Sequence, residues 1–367
     1  MVAVNLLCSY CLAMAVQAMQ CKAVLLCGYY GEHNLGDDAL LQVLLQELPS
    51  HLQPWITAND SNVIKALAPK AQVINRRSLL ETIRALFQVQ GLILGGGSLL
   101  QDSTSFKSLI YYLILIVIAQ QLGVPVVLWG QGLGPFRHHL SRWMVRRVLR
   151  RVQAISWRDP ESFQLAQRWC LPSPMLMAPD PVWQLPSRRW QGGQAVVLCW
   201  RPTSMLDHFG WQHLLQALEI ILKDIDAPVH WLAFHQRQDE QLFRQLDRQG
   251  LISSSLRSRS HFFAFDSLTD VMNQFSMARL VLPMRLHALI LAQLAGSPTV
   301  ALSYDPKVSS AAVMANVPFT DLQSLPDIRL LAGLWRQALD VSPDLGKIEA
   351  IRKQASQHSK ILDKAFD

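Results

Sequence analysis

At 367 residues the chain is too long for one ordinary core, and two domains are the natural expectation. Half of it is hydrophobic, ample for folding, while the 17% charged fraction falls below the roughly 25% of soluble proteins and points to large buried sheets or a surface that meets a membrane or a partner. The net charge of +7 comes mainly from arginine and favours acidic partners such as phosphorylated metabolites or anionic lipid head groups; no finger spacing, heptad-linked basic region or paired aromatic strands mark a nucleic-acid module.

The six cysteines are scattered, and Cys8 with Cys11 forms a half-site that no second pair completes, so buried thiols in a reducing compartment are expected. Residues 1–22 carry no charge before Lys22 and lack the positive start of a secretory signal. They are expected to be an extension ahead of a true start at Met14 or Met19, because the first convincing strand opens at Ala23.

That strand, Ala23–Cys27, runs through Gly28, Gly31, Asn34 and Gly36 into an apolar-periodic helix ending near Leu48, with Asp37 the expected N-cap. The glycine spacing is not the dinucleotide fingerprint. Three further strands end on similar turns: Leu92–Leu94 on Gly95, Gly96, Gly97 and Ser98; Val124–Trp129 on Gly130, Gln131, Gly132 and Gly134; Ala154–Trp157 on Arg158 and Asp159. Singly each cluster equals an ordinary tight turn; together they describe a Rossmann-like domain over 23–185 whose carboxyl edge is a binding face. Leu109–Ala119 is an apolar run shorter than the roughly 18–20 residues of a bilayer span, and is expected to be a helix buried on the sheet. Arg142, Arg146, Arg147, Arg150 and Arg151 recur at helical spacing around Trp143. Such a helix over 142–151 fits either peripheral contact with anionic lipid or a solvated face.

Pro186–Gly193 has the polar, glycine-containing composition of a linker. Beyond it, strands expected at 195–200, 228–234, 261–265, 280–282 and 299–302 alternate with helices in a second Rossmann-like domain over 194–330, followed by a charged helical tail, 331–367, that packs back across the first domain. Two such domains facing across a cleft give an α/β protein of GT-B-like architecture.

The chemistry is expected at strand ends. Arg285, His287 and Lys307 follow strands of the second domain and Arg158 a strand of the first, so they can converge on one crevice. Arginine forks suit carboxylates or phosphates, lysine supplies a compact charge, and a histidine there can move a proton near neutral pH. The bland alternative is that Arg285 merely caps a strand end while His287 is a buried imidazole. No Gly-x-Ser-x-Gly elbow, Walker A sequence or paired-histidine metal motif occurs, so a hydrolase, P-loop enzyme or metalloenzyme is disfavoured and no metal ligands are expected.

Seven segments in order, Gly28–Asp37, Gly95–Asp102, Trp129–Pro135, Arg158-Asp159, Asp180–Trp183, Met284–His287 and Ser303–Lys307, resemble the polysaccharide pyruvyl transferases, most closely their CsaB type. The resemblance spans about Ala23 to Val308 and departs in the N-terminal extension. It implies transfer of a pyruvyl group from phosphoenolpyruvate, a co-substrate with no other cofactor, to a saccharide acceptor, lipid-linked in this family, in cell-surface polysaccharide synthesis. The setting it implies is cytoplasmic, with peripheral contact at the inner face of the plasma membrane. It casts His287 as the acid or base, and Arg158, Arg285 and Lys307 as donor-binding. Gly28, Asn34, Asp37, Gly96, Gly97 and Gln131 are candidates for the acceptor side or its loops. A glycosyltransferase using a nucleotide sugar and a non-catalytic sugar or anion binder are the competing readings.

Overall fold

A computed structural model describes residues 22–366. The proposed alternative start, with Cys8, Cys11 and Cys21, lies outside the described residues.

The first domain is built on seven parallel strands: β1 (Lys22–Tyr30), β2 (Leu52–Ala58), β3 (Gln72–Asn75), β4 (Gly91–Leu100), β5 (Val126–Leu133), β6 (Ala154–Trp157) and β7 (Met175–Met177). Their order is β3-β2-β1-β4-β5-β6-β7. Helices cover both faces, which is why β5 and β6 are buried along their whole length and their sequences run apolar without alternation. The apolar run expected to be a helix is Phe106–Gln121, with Leu109, Tyr112, Leu115, Ile116 and Ala119 against the sheet. The helix after β1 is Leu35–Glu47, and its N-cap is Asn34, whose side chain accepts from the Gly36 amide at 3.3 Å; Asp37, expected at that position, sits in the first turn. Strands β2 and β3 escaped the sequence reading because β2 carries Pro54, a breaker signal, and β3 has only 4 residues at the sheet's edge.

The second domain repeats the plan with β8 (Ala195–Cys199), β9 (Val229–Leu232), β10 (Ser260–Phe263), β11 (Ala278–Pro283), β12 (Ala301–Ser303) and β13 (Phe319–Asp321). The order β10-β9-β8-β11 continues into β12-β13 through the Val300 amide, which donates to Val281 O at 3.1 Å. In both sheets the order reverses at the first strand, between β1 and β4 and between β8 and β11, so each carboxyl edge has a crevice at that switch point.

The two edges meet. The loop after β1 lies antiparallel to the segment after β9: Leu35 N donates to Phe234 O at 3.1 Å and Gln236 N to His33 O at 3.1 Å. Beside this seam the buried Glu32 pairs with Arg76 (2.7 Å) and Arg77 (3.4 Å) of its own domain and with Arg237 (3.0 Å) of the other. The C-terminal segment divides: helix Ile328–Ala338 stays on the second domain beside helix His208–Ile225, while Leu345–Ala355 and Ser359–Phe366 cross to the first, where Ile361, Leu362 and Phe366 join its core. His358 is fully buried there, its Nε2 donating to Pro179 O at 2.8 Å, and burial pushes its pKa down to about 4. Among the described cysteines Cys27 and Cys199 are buried; Cys170 is exposed.

Glu47 accepts from the Trp129 indole at 2.9 Å, yet burial pushes its carboxyl up to about 7, against the opposing bonds from Gln184 and Trp129. A folded pKa above the unfolded one means its stabilising contribution is complete below about pH 4.3 and is lost as pH rises through 7. Thermal melts of wild type and Glu47→Gln at pH 5 and pH 8 are expected to show the variant losing less stability across that interval, by roughly 2 kcal/mol. Parallel curves would refute this.

Candidate active site

Where the two carboxyl edges face each other, a cavity of about 170 Å³ is lined by Asn34 and Arg158 of the first domain and by Phe234, Arg285, His287, Tyr304, Asp305 and Lys307 of the second. The three cations and the histidine expected to converge therefore share one crevice. Local geometry explains their placement. Arg285 is the N-cap of helix Leu286–Leu294, and Asp305 caps helix Pro306–Ala315 by accepting from Lys307 N at 3.0 Å. Both helices thus begin at the crevice, with the positive ends of their dipoles there, an arrangement suited to an anion.

The side chains are held by partners that sequence spacing does not reveal. Arg158, 8% exposed, donates from Nη1 to Asp180 Oδ2 at 2.9 Å and from Nη2 to Ser98 Oγ at 3.0 Å. Lys307 Nζ donates to the same hydroxyl at 2.7 Å. Two cations from different domains therefore converge on one neutral oxygen. Burial, followed by repulsion from Arg158, pushes the Lys307 ammonium below its ordinary value, with Asp305, Asp159 and Asp180 opposing. His287 Nε2 lies 3.4 Å from Asp180 Oδ2, so Asp180 receives a cationic group from one domain and an imidazole from the other. Burial alone would raise the Asp180 carboxyl, but attraction to His287 and Arg158 outweighs it and holds that group well below the usual carboxylate range.

Arg285 spends its fork on Asp239, Nε to Oδ2 at 2.8 Å and Nη2 to Oδ1 at 2.6 Å, with a further bond from Nη2 to Gln238 at 3.0 Å. Among the described residues its Nη1 has no hydrogen-bond partner, and the Nε of Arg158 is buried without one.

The glycine and loop candidates separate. Asn34 lines the crevice and its side-chain amide donates to Asp37. Burial raises the Asp37 carboxyl, opposed by His287, Arg158 and Arg76. Gly97, at φ +86°, passes close to Asp37. Gly96, at φ +63°, lies against Leu40, and Gly28 is covered by the Tyr30 ring, so both serve packing. Gln131 is fully buried and donates to Leu94 O and Gly96 O, each at 3.2 Å, which ties the sheet edge together away from the crevice. Ser98 and Asp180 enter the sequence analysis only as members of motifs. Asp239, in a short polar helix, carries no signal there at all, because only the fold brings it to Arg285.

A second cavity, about 530 Å³, opens beside Asp239 and is walled by Trp200, Trp231, Phe243, Phe262 and Phe263 with Glu240, Gln241 and Arg244.

A family model described as polysaccharide pyruvyl transferase matches residues 34–306, which contain Asn34, Arg158, Phe234, Arg285, His287, Tyr304 and Asp305 of the crevice and end just before Lys307. The chain belongs to this family. No curated protein matches. Solved structures share the fold at low identity. The UDP-GlcNAc 2-epimerase of Methanocaldococcus jannaschii is 11% identical with TM-score 0.62, covering 93% of this chain and 99% of its own. Anabaena Alr3699/HepE, in complex with UDP and glucose, is 12% identical with TM-score 0.57, covering 94% and 96%. The Neisseria meningitidis UDP-GlcNAc 2-epimerase bound to UDP-GlcNAc is 14% identical with TM-score 0.57, covering 93% and 98%. This pyruvyl transferase family member thus has the expected GT-B-like pair of Rossmann-like domains.

Gly36 fixes the remaining side of the imidazole: a Cβ there would stand 2.1 Å from His287 Nδ1. Gly36→Ala improves helix propensity but obstructs that ring. It is expected to leave the melting temperature within a few degrees of wild type while lowering kcat/KM at least tenfold, roughly 1.4 kcal/mol of lost transition-state stabilisation; unchanged kinetics would remove His287 from the mechanism.

Proposed function

We propose that the protein transfers the pyruvyl group of phosphoenolpyruvate to a saccharide, forming a pyruvate ketal and releasing phosphate, as a step in cell-surface polysaccharide synthesis. The observation that carries the reading is the convergence of Arg158 and Lys307 on Ser98 Oγ. Two desolvated cations sharing a neutral oxygen, at the mouths of two helix N-termini, favour an anionic group that takes its place between them. A phosphate of charge roughly −1.5 to −2 suits that position. Nη1 of Arg285 is left to meet the donor's carboxylate.

In this reading the enol carbon of the donor accepts a proton and becomes the methyl group. One sugar hydroxyl bonds to the neighbouring carbon, the C–O bond to phosphate breaks, and a second hydroxyl closes the ketal. Two hydroxyl protons are lost; one balances the proton gained at carbon and the other leaves with phosphate or solvent. His287 is the group that moves a proton, with Asp180 fixing its ring by facing Nε2. Lys307 and Arg158 offset charge on the departing phosphate. Asn34, which lines the crevice and is held by Asp37, is the candidate to meet a saccharide hydroxyl.

A second reading, transfer from a nucleotide sugar, draws on the aromatic-walled cavity beside Asp239, which is large enough for a planar base or a sugar. Asp305, the acidic residue available for a ribose, is committed to capping its helix.

Incubation with phosphoenolpyruvate and candidate saccharides should release inorganic phosphate only when both are present; release of nucleotide from a nucleotide-sugar control would support the second reading. His287→Ala is expected to reduce phosphate release by 10²–10⁴-fold while sparing phosphoenolpyruvate binding. Lys307→Met is expected to weaken that binding as well. Normal turnover in His287→Ala would overturn the assignment.

A further inference from the structure

The arginine-rich segment takes no part in the crevice. Its helix, His139–Leu149, turns Ser141, Val145 and Leu149 to the sheet. It leaves Leu140 and Trp143 59% and 62% exposed, with Arg142, Arg146 and Arg147 exposed beside them and Arg150 and Arg151 just beyond. Phe106, 43% exposed, adds to this face through an edge contact with His138 at 6.4 Å. The face is fixed in place: Asp102 accepts the backbone amides of Arg137 and His138 at 2.6 and 3.0 Å.

Its charge is uncompensated. The sequence contains no acid between Asp102 and Asp159. Some exposed arginines elsewhere have carboxylate partners, such as Arg257 with Asp247 and Arg336 with Asp224. Among the described residues none of Arg142, Arg146, Arg147, Arg150 and Arg151 forms such a pair. Exposed tryptophan and leucine set among unpaired arginines match a bilayer surface of anionic lipid, which offers phosphates to guanidinium groups and an apolar boundary to the rings. A soluble polyanion would use the charges and leave the apolar side chains in water.

We propose that this face docks the first domain on an anionic membrane, with Trp143 and Leu140 entering the headgroup boundary and the arginines on lipid phosphates. The helix follows the carboxyl end of β5, where Gly132 packs against Ser98 and Arg158, so its start lies on the crevice side of the domain. Among the described residues no helix is long and apolar enough to cross a membrane, so the contact is peripheral. The proposal does not depend on which reaction the crevice performs.

Co-sedimentation of the full chain with vesicles tests it. Binding is expected to vesicles of phosphatidylcholine mixed with phosphatidylglycerol, to be absent from phosphatidylcholine alone, and to weaken as salt rises. Changing Arg142, Arg146 and Arg147 together to glutamine should weaken binding roughly 100-fold, about fivefold per arginine, whereas lysine at the same positions should retain most of it. Trp143→Ser should weaken binding without changing its salt dependence. The side chains are exposed, so melting temperatures of these variants should match wild type; if the triple variant is unstable, the lysine and Trp143→Ser variants decide. Equal binding to both vesicle types, no binding to either, or wild-type binding by Trp143→Ser with equally tight capture of an RNA oligonucleotide would overturn the proposal.

Discussion

The carboxylate of Asp180 holds the two halves of the site in register. It takes Arg158 from its own domain and faces His287 from the other, and both reach the same oxygen. Because Arg158 and Asp180 are nearly buried, losing either leaves an uncompensated charge, at a cost of about 3–5 kcal/mol. The placement of His287 is therefore coupled to the contact between the domains. Asp180 is itself anchored: its Oδ1 accepts from Val182 N at 3.0 Å, and the adjoining Pro179 carbonyl receives the buried His358 of the C-terminal segment. The C-terminal segment that crosses back to the first domain thus supports the stretch that carries Asp180.

A second carboxylate does comparable work at the seam. Glu32, enclosed by Arg76, Arg77 and Arg237, ties the loop after β1 to the segment after β9, and the backbone pairing of Leu35 with Phe234 runs alongside. This pairing brings Gly36 against His287, and only a residue without a Cβ permits the approach. Domain contact and site assembly are thus one event in this protein. Relative motion of the domains would separate Lys307 from Ser98 and His287 from Asp180 together.

The fold alone does not identify the reaction. Proteins solved with UDP or UDP-GlcNAc share this architecture at 12–14% identity, so the arrangement of two Rossmann-like domains does not by itself select a chemistry. The crevice of this chain holds three cations and one histidine, with Asp180 and Asp239 behind it committed to Arg158 and Arg285. The family model covers all of these but Lys307, and the cations give the crevice a charge suited to an anionic ligand.

Much of this was legible without coordinates. Short continuous apolar runs such as those of β5 and β6 suit parallel strands covered on both faces, and the glycine-rich turn after β5 marks a carboxyl-edge site. Arg158, Arg285, His287 and Lys307 were readable because each lies within four residues of a strand's end, where chain direction alone decides the edge. The edge strands β2 and β3 were not, since a proline and a short length hide the pattern. Nor were Asp239, the task of Ser98, or the burial of Gln131. Those depend on contacts across long sequence separations, Ser98 with Lys307 being 209 residues apart, and a sequence holds no local trace of which carboxylate will neutralise which arginine. Residue type and strand position determine which groups reach the crevice; packing of one domain on the other determines which stay free to act on a ligand.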